Sequence, residues 1–344
     1  MPESAPQPAR STRLRALLGL VAALVIGVIV VIAITWWVIG SPPRSQAIPV
    51  AENITLREFA ILPDDDAYPA ALAISAAGKI YTGSYKTGAL WAINPEGEVR
   101  EIAGARDLIG SITGLDVAPD GALYILDRIS PLESKGAVVW RFADGELDSL
   151  IQIPHFEYLG FLPDDIALDS AGRIYISDRL GHVLRYQTDG QPLGLDGEPY
   201  WWHLPCRDGC EATGLAYDAD SDALLVADAK AGAIYRLDLT DERPANIQSL
   251  YHESGGDKDH GFDGITIAPN GQIYLALLNS NRVARLANGA LTMLARDFRG
   301  SSDLVHDPAR NRLIVTNWNQ FSLGFGTRPQ LPFALDVIEL DPTP

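Results

Sequence analysis

Carboxylates and hydroxyls stand at matching places in a phrase that the chain repeats. Asp164 and Asp165 lead into Ile166, Thr213 opens Thr213-Gly214-Leu215, Asp263 opens Asp263-Gly264-Ile265, and Ser302 and Asp303 precede Leu304. Ala70 and Thr113 hold the same place in Ala70-Ala71-Leu72 and Thr113-Gly114-Leu115. Acidic groups brought to one mouth attract a cation, and oxygen-only donors suit Ca²⁺ rather than zinc. Asp263 and Asp164 are therefore the candidate metal ligands, with Asp165, Thr213 and Asp303 as candidate ligand-binding residues. The plain alternative is that carboxylates at strand starts bond nearby backbone amides. Two loop histidines complete the set, His155 in Pro154-His155-Phe156 and His260 in Asp259-His260-Gly261-Phe262. Either can act as a general base near neutral pH, although a loop histidine is often merely solvated. The remaining histidines (His182, His203, His252 and His306) carry no site signal. The chain has no Gly-X-Ser-X-Gly elbow and no phosphate-binding glycine-rich loop.

The elements that must position these residues are short strands. In Asp263 to Ala276, Ile265 and Ile267 alternate before a Pro269-Asn270-Gly271 turn, and Ile273 and Leu275 alternate after it. That is the pattern of a β-hairpin. The phrase occurs six times, beginning at Ala70, Thr113, Asp164, Thr213, Asp263 and Ser302. The spacing, roughly 40–50 residues, is that of propeller blades. Two further strand-like runs follow each of the first five hairpins. The sixth has one, Phe333 to Leu340, while Ile54 to Ile61 lacks a partner. Lending that early run to the last blade closes the ring and hides its edge. The expected architecture is all-β, a six-bladed propeller with four-stranded blades over residues 54–344, in which 54–62 is the closing strand. The innermost strands then start around a central channel, which brings the candidate residues to one mouth. Asp127, Asp178 and Asp228 end the second strands and are read as turn caps.

Residues 16–39 are apolar apart from Thr35 and carry no charge. At ~1.5 Å per residue the run can cross a bilayer core of ~30 Å. Arg10, Arg13 and Arg15 precede it, which places residues 1–15 in the cytoplasm as a short tail. A cleaved signal peptide is the competing reading, with Ser45-Gln46-Ala47 as its site, but signal h-regions are shorter. The expected layout is a single-pass anchor, a 40–53 linker and an extracytoplasmic (periplasmic or extracellular) domain. A net charge of −17 disfavours nucleic acid as a partner. Cys206 and Cys210 are the two cysteines, too few for a four-thiolate metal cage. They can close a small loop by a disulfide in an oxidising compartment. Their spacing departs from Cys-X-X-Cys, so the expected role is structural. No oligomer signal is visible.

Three phrases carry a family resemblance: Asp263-Gly264-Ile265 to Ala276, Thr213-Gly214-Leu215 to Asp228, and Pro163-Asp164-Asp165-Ile166. They resemble the superfamily of gluconolactonase, senescence marker protein and luciferin-regenerating enzyme. Blade one, Pro69-Ala70-Ala71-Leu72 to Gly83, is most similar to the strictosidine-synthase-like branch. The resemblance implies a six-bladed propeller. For the lactonase members it also implies one divalent cation, commonly Ca²⁺, in the channel. Asp263 matches the aspartate ligand of that site. Thr213 and Asp164 stand where asparagines are usual, and the glutamate expected near blade one is replaced by Ala67 or Ala70. Two functions follow as expectations. One is a lactonase- or esterase-like hydrolase acting on a small molecule in the funnel. The other is a non-catalytic ligand- or protein-binding propeller whose metal site has decayed.

Overall fold

The structure is a computed structural model that describes residues 10–40, 44–155, 162–194, 197–205, 209–239, 246–253 and 260–340. The chain divides into two units, Met1–Arg44 with Phe321–Gln330, and Ser45–Gln320 with Leu331–Pro344. The first contains a 31-residue helix, Arg10–Gly40, whose apolar stretch Arg15–Trp36 is long enough to span a membrane. It also holds most of a short helix, Gln320–Phe325.

The second unit is the propeller. The innermost strands are Pro69–Ile74, Ile112–Val117, Pro163–Leu168, Ala212–Asp218, Phe262–Ile267 and Leu304–Asp307, for blades one to six. Each begins an antiparallel meander running outward. Successive innermost strands touch around the ring, and that of blade six meets that of blade one. The closing strand lies where the strand count requires it: Ile54–Ile61 pairs antiparallel with Ala334–Leu340 as the outer strand of blade six. One element was not expected. Ile48–Pro49, inside the expected 40–53 linker, pairs with Arg296 and Ala295 and makes blade five a five-stranded sheet.

Alternation explains why these segments are strands. Within each blade the apolar residues face the neighbouring blades, so the core is a set of layers between sheets. Tyr124, Leu126 and Val139 of blade two pack on Ile166, Ile176 and Leu184 of blade three. Trp201 and Val183 of blade three pack on Leu224 and Val226 of blade four. The recurrent tyrosines Tyr81, Tyr124, Tyr175 and Tyr274 are all buried in these layers. Burying a Leu or Ile side chain contributes about 1.5–3 kcal/mol, so every interface supplies enough to hold its two blades together.

Candidate functional site

The ring geometry lines the channel with tiers. Five of the six innermost strands carry a register shift near their start, between Pro163 and Ile166, Ala212 and Leu215, Phe262 and Ile265, Pro69 and Ala71, and Ile112 and Gly114. A bulge frees the intervening residues from pairing and re-aims them. The upper tier is Ala70, Thr113, Asp164, Thr213, Asp263 and Ser302, and the tier below includes Gly114, Asp165, Gly214, Gly264 and Asp303. The glycines answer to crowding. A Cβ on Gly114 would lie 2.8 Å from the Asp165 Cα, and one on Gly264 would run into the Asp303 carboxylate.

A third tier, the rim, was not anticipated. The residue after the second strand turns into the mouth in blades one to five, Tyr85, Arg128, Arg179, Ala229 and Leu278, and in blade six Trp318, three residues beyond Val315, takes the same place. Their amides donate to the carbonyls of Tyr68, Ser111, Leu162, Glu211, Gly261 and Gly300, one equivalent bond per blade. The preceding aspartates hold this turn as caps. Asp127 Oδ1 accepts from Gly110, Ser111 and Ile129, Asp178 Oδ1 from Leu162 and Leu180, and Asp228 Oδ1 from Glu211, Lys230 and Ala231. The sequence signal was the dipeptide Asp-Arg at Asp127-Arg128 and Asp178-Arg179.

Asp164, Asp165, Asp263 and Asp303 all face one small central space of about 30 Å³, together with Tyr85, Thr113, Arg179 and Trp318. Asp165 and Asp303 are occupied by backbone. Asp165 accepts from Leu215 and Ile166, both at 2.8 Å, and Asp303 from Leu72 at 2.6 Å and Leu304 at 2.8 Å. In each case one donor belongs to the next blade, so these carboxylates latch adjacent blades. Thr213 Oγ1 donates to the Phe262 carbonyl at 2.8 Å, and Ser302 Oγ to the Ala70 carbonyl at 2.8 Å, which are latches of the same kind.

Asp164 and Asp263 are different. Their carboxyls hydrogen-bond each other, and Arg179 stands beside them. Arg179 Nη1 is 3.6 Å from Asp164 Oδ1 and Nη2 is 2.6 Å from Glu211 Oε2. Burial raises both aspartates above the usual carboxylate range. Asp263 goes well above it, because the Asp164 charge adds to burial. For Asp164, Arg179 and Arg128 oppose the rise. Asp263 is thus the proton holder that donates, and Asp164 the anion that accepts.

A second cavity of about 260 Å³ adjoins this pair and is lined by Arg179, Glu211, Thr213, Lys230, Asp263 and Asn279 among others. It opens where the rim residues are Ala229 and Leu278, which fill less of the mouth than Tyr85, Arg128, Arg179 and Trp318 do.

The histidines do not join this pair. His155 follows the outermost strand of blade two, Glu146–Ile153, and is exposed, with Nδ1 3.2 Å from Ser134 Oγ. His260 directs Nε2 toward Glu253 Oε1 at 3.7 Å and lies edge-on to Phe262. Neither lines the two cavities. Cys210 is buried and disulfide-bonded, while Cys206 lies outside the described residues.

The donors do not fit a divalent cation. Asp164 and Asp263 face a guanidinium and each other, the Thr213 hydroxyl is directed at a carbonyl, and Ala70 offers no donor. Among the described residues no group of three or more His, Cys, Asp or Glu side chains is placed to hold a metal.

Residues 123–295 match the family described as the SMP-30/Gluconolactonase/LRE-like region. Comparison with curated proteins returns no match. Among solved structures, a gluconolactonase from Xanthomonas campestris superposes with a TM-score of 0.59 at 17% identity, covering 87% of this chain and 98% of that one. A luciferin-regenerating enzyme superposes at 0.61 with 11% identity, over 83% and 95%. Virginiamycin B lyase from Staphylococcus aureus superposes at 0.53 with 17% identity, over 77% and 83%. Identities this low establish the fold alone, and these three proteins run different chemistries on it.

Proposed function

The chain belongs to the SMP-30/gluconolactonase/LRE-like family, and from that premise we propose that it is a hydrolase of small lactones or esters. The observation that carries this reading is the Asp164–Asp263 carboxyl pair beside Arg179 at the central space, with Asp263 and Arg179 also on the wall of a cavity of about 260 Å³. A charged and a neutral carboxyl side by side form an acid–base couple. The central space has room for water. Thr113 Oγ1 and Trp318 Nε1 border it and lack partners among the described residues, which supports a polar occupant.

In this reading the substrate lies in the side cavity with its acyl oxygen toward Arg179. Water attacks the acyl carbon as Asp164 takes its proton. The guanidinium stabilises the tetrahedral oxyanion. The acyl C–O bond then breaks, and Asp263 gives its proton to the leaving alkoxide. Proton transfer from Asp164 to Asp263 through their shared hydrogen bond restores the pair. The products are a carboxylic acid and an alcohol, joined in one molecule when the substrate is a lactone.

A single-pass anchor and an extracytoplasmic propeller complete the proposal. Arg15–Trp36 has a mean hydropathy of 3.3 and is wholly exposed, a surface that calls for lipid. The disulfide at Cys210 supports an oxidising compartment. The second reading, a non-catalytic ligand-binding propeller, is favoured by the poor fit of the donors to a cation. Turnover of a panel of lactones and aryl esters by the full chain, lost in Asp263→Asn, tests the first reading. Ligand binding without any turnover would select the second.

A further inference from the structure

We infer that Arg179 is the resident cation of the channel, its guanidinium standing at the charge position that a divalent ion would need among Asp164, Asp263 and Glu211. The placement is built into the backbone. The Arg179 amide donates to the Leu162 carbonyl at 3.0 Å, and the Asp178 carboxylate pins the same turn through Leu162 and Leu180. The side chain therefore leaves the rim in a fixed direction and meets Glu211 at 2.6 Å and Asp164 at 3.6 Å. The other rim arginine does not compete for this place, because Arg128 Nη1 donates to the Tyr85 hydroxyl at 2.7 Å.

The substitution of one cation by another has chemical consequences. A guanidinium is permanently charged, cannot be removed by a chelator, and meets an acyl oxygen with directed N–H bonds rather than an exchangeable coordination position. It also compensates the Asp164 and Glu211 carboxylates, which would otherwise repel one another at the mouth. Removing it leaves oxygen donors and uncompensated negative charge together, which are the requirements of a hard-cation site. The inference uses the same cluster as the proposed hydrolase but not its chemistry. No substrate enters the test, so a protein that hydrolyses nothing would give the same result.

The test is thermal melting of the full chain in detergent with calcium, magnesium, manganese or zinc chloride, each alone, and with EDTA. The wild type and Arg179→Lys are expected to melt at unchanged temperatures in all of these. Arg179→Gln is expected to melt lower and to rise by roughly 5 °C with at least one cation at hundredfold excess over its Kd. If Arg179→Gln is recovered unfolded, refolding is expected only when a cation is present. A cation-dependent rise in the wild type, abolished by Asp263→Asn, overturns the inference. So does an Arg179→Gln protein that no cation stabilises or refolds.

Discussion

The carboxyl groups of Asp164 and Asp263 are hydrogen-bonded to each other although they start innermost strands two blades apart. Such a bond requires one proton between two acids. The surroundings decide where it sits, because Arg179 and Arg128 favour charge on Asp164 while burial and the Asp164 charge keep Asp263 neutral.

The first prediction follows from that division. Asp164→Asn removes the base and Asp263→Asn the acid, and each should lower kcat by about 10²–10⁴-fold. The wild-type rate should fall on the acid side as Asp164 gains a proton and on the alkaline side as Asp263 loses one. Both pKa values are raised, so the acid limb should lie above ~4, the usual range for an aspartate. Rate against pH on one substrate checks this. An acid limb at or below ~4 removes Asp164 as the base.

Asp303 should matter for stability rather than for ligand affinity. Its two oxygens accept from Leu72 of blade one and from Leu304. Asp303→Ala strips the acceptor from both buried amides at the seam between last and first blades. The cost should be about 2–6 kcal/mol, at ~1–3 kcal/mol for each of the two unsatisfied amides. Urea unfolding measures it. A variant as stable as the wild type that binds ligand worse would restore Asp303 as a ligand-binding residue.

The blade count and the closing strand were legible because each depends on alternation along a strand, which is written in residue type. Ile54–Ile61 and Ala334–Leu340 each read as a strand without a partner, and they pair with each other. The upper-tier residues were legible because they keep a constant offset from the first strand of every repeat. Arg179 was not. The rim position is occupied by Tyr85, Arg128, Arg179, Ala229, Leu278 and Trp318, which share a backbone hydrogen bond and no side-chain chemistry. A repeat sought by residue identity passes over such a position. The aim of His260 was hidden for another reason. Gly261 beside it lines the side cavity, but the ring turns to Glu253 and Phe262, a rotamer choice set by packing that residue type does not encode. Ile48–Pro49 is too short to alternate and contains proline, so it carries no strand signal.

Stability should fall as pH rises through the mildly acidic range. Asp116 is pushed up to about 7 by burial, although Leu168 and Val117 donate to it. An unfolded aspartate titrates near ~3.9. Between those values the folded chain holds a proton that the unfolded chain has released, so the contribution is full below ~4 and is lost as pH rises to about 7. Asp164, Asp165, Asp263 and Asp303 act in the same direction. The melting temperature should therefore drop between pH 5 and pH 7, by a smaller amount in Asp116→Asn. An unchanged slope in that variant would remove Asp116 from the account.

The last prediction concerns where the substrate lies. The side cavity adjoins Asp263 and Arg179 and opens where Ala229 leaves the rim unfilled. Ala229 is only half-buried, so a larger side chain there can project into the cavity without entering the packed layers between blades. Ala229→Phe should therefore lower kcat/KM by more than about tenfold, while changing stability by less than ~0.5 kcal/mol, as substitutions outside the core usually do. The loss should be largest for bulky esters and smallest for the smallest lactones, because the phenyl ring removes volume rather than chemistry. A uniform loss across substrates of all sizes would place the substrate elsewhere and implicate the rim turn itself. Equal activity on every substrate would show that the reacting group reaches Asp164 and Asp263 without passing the side cavity.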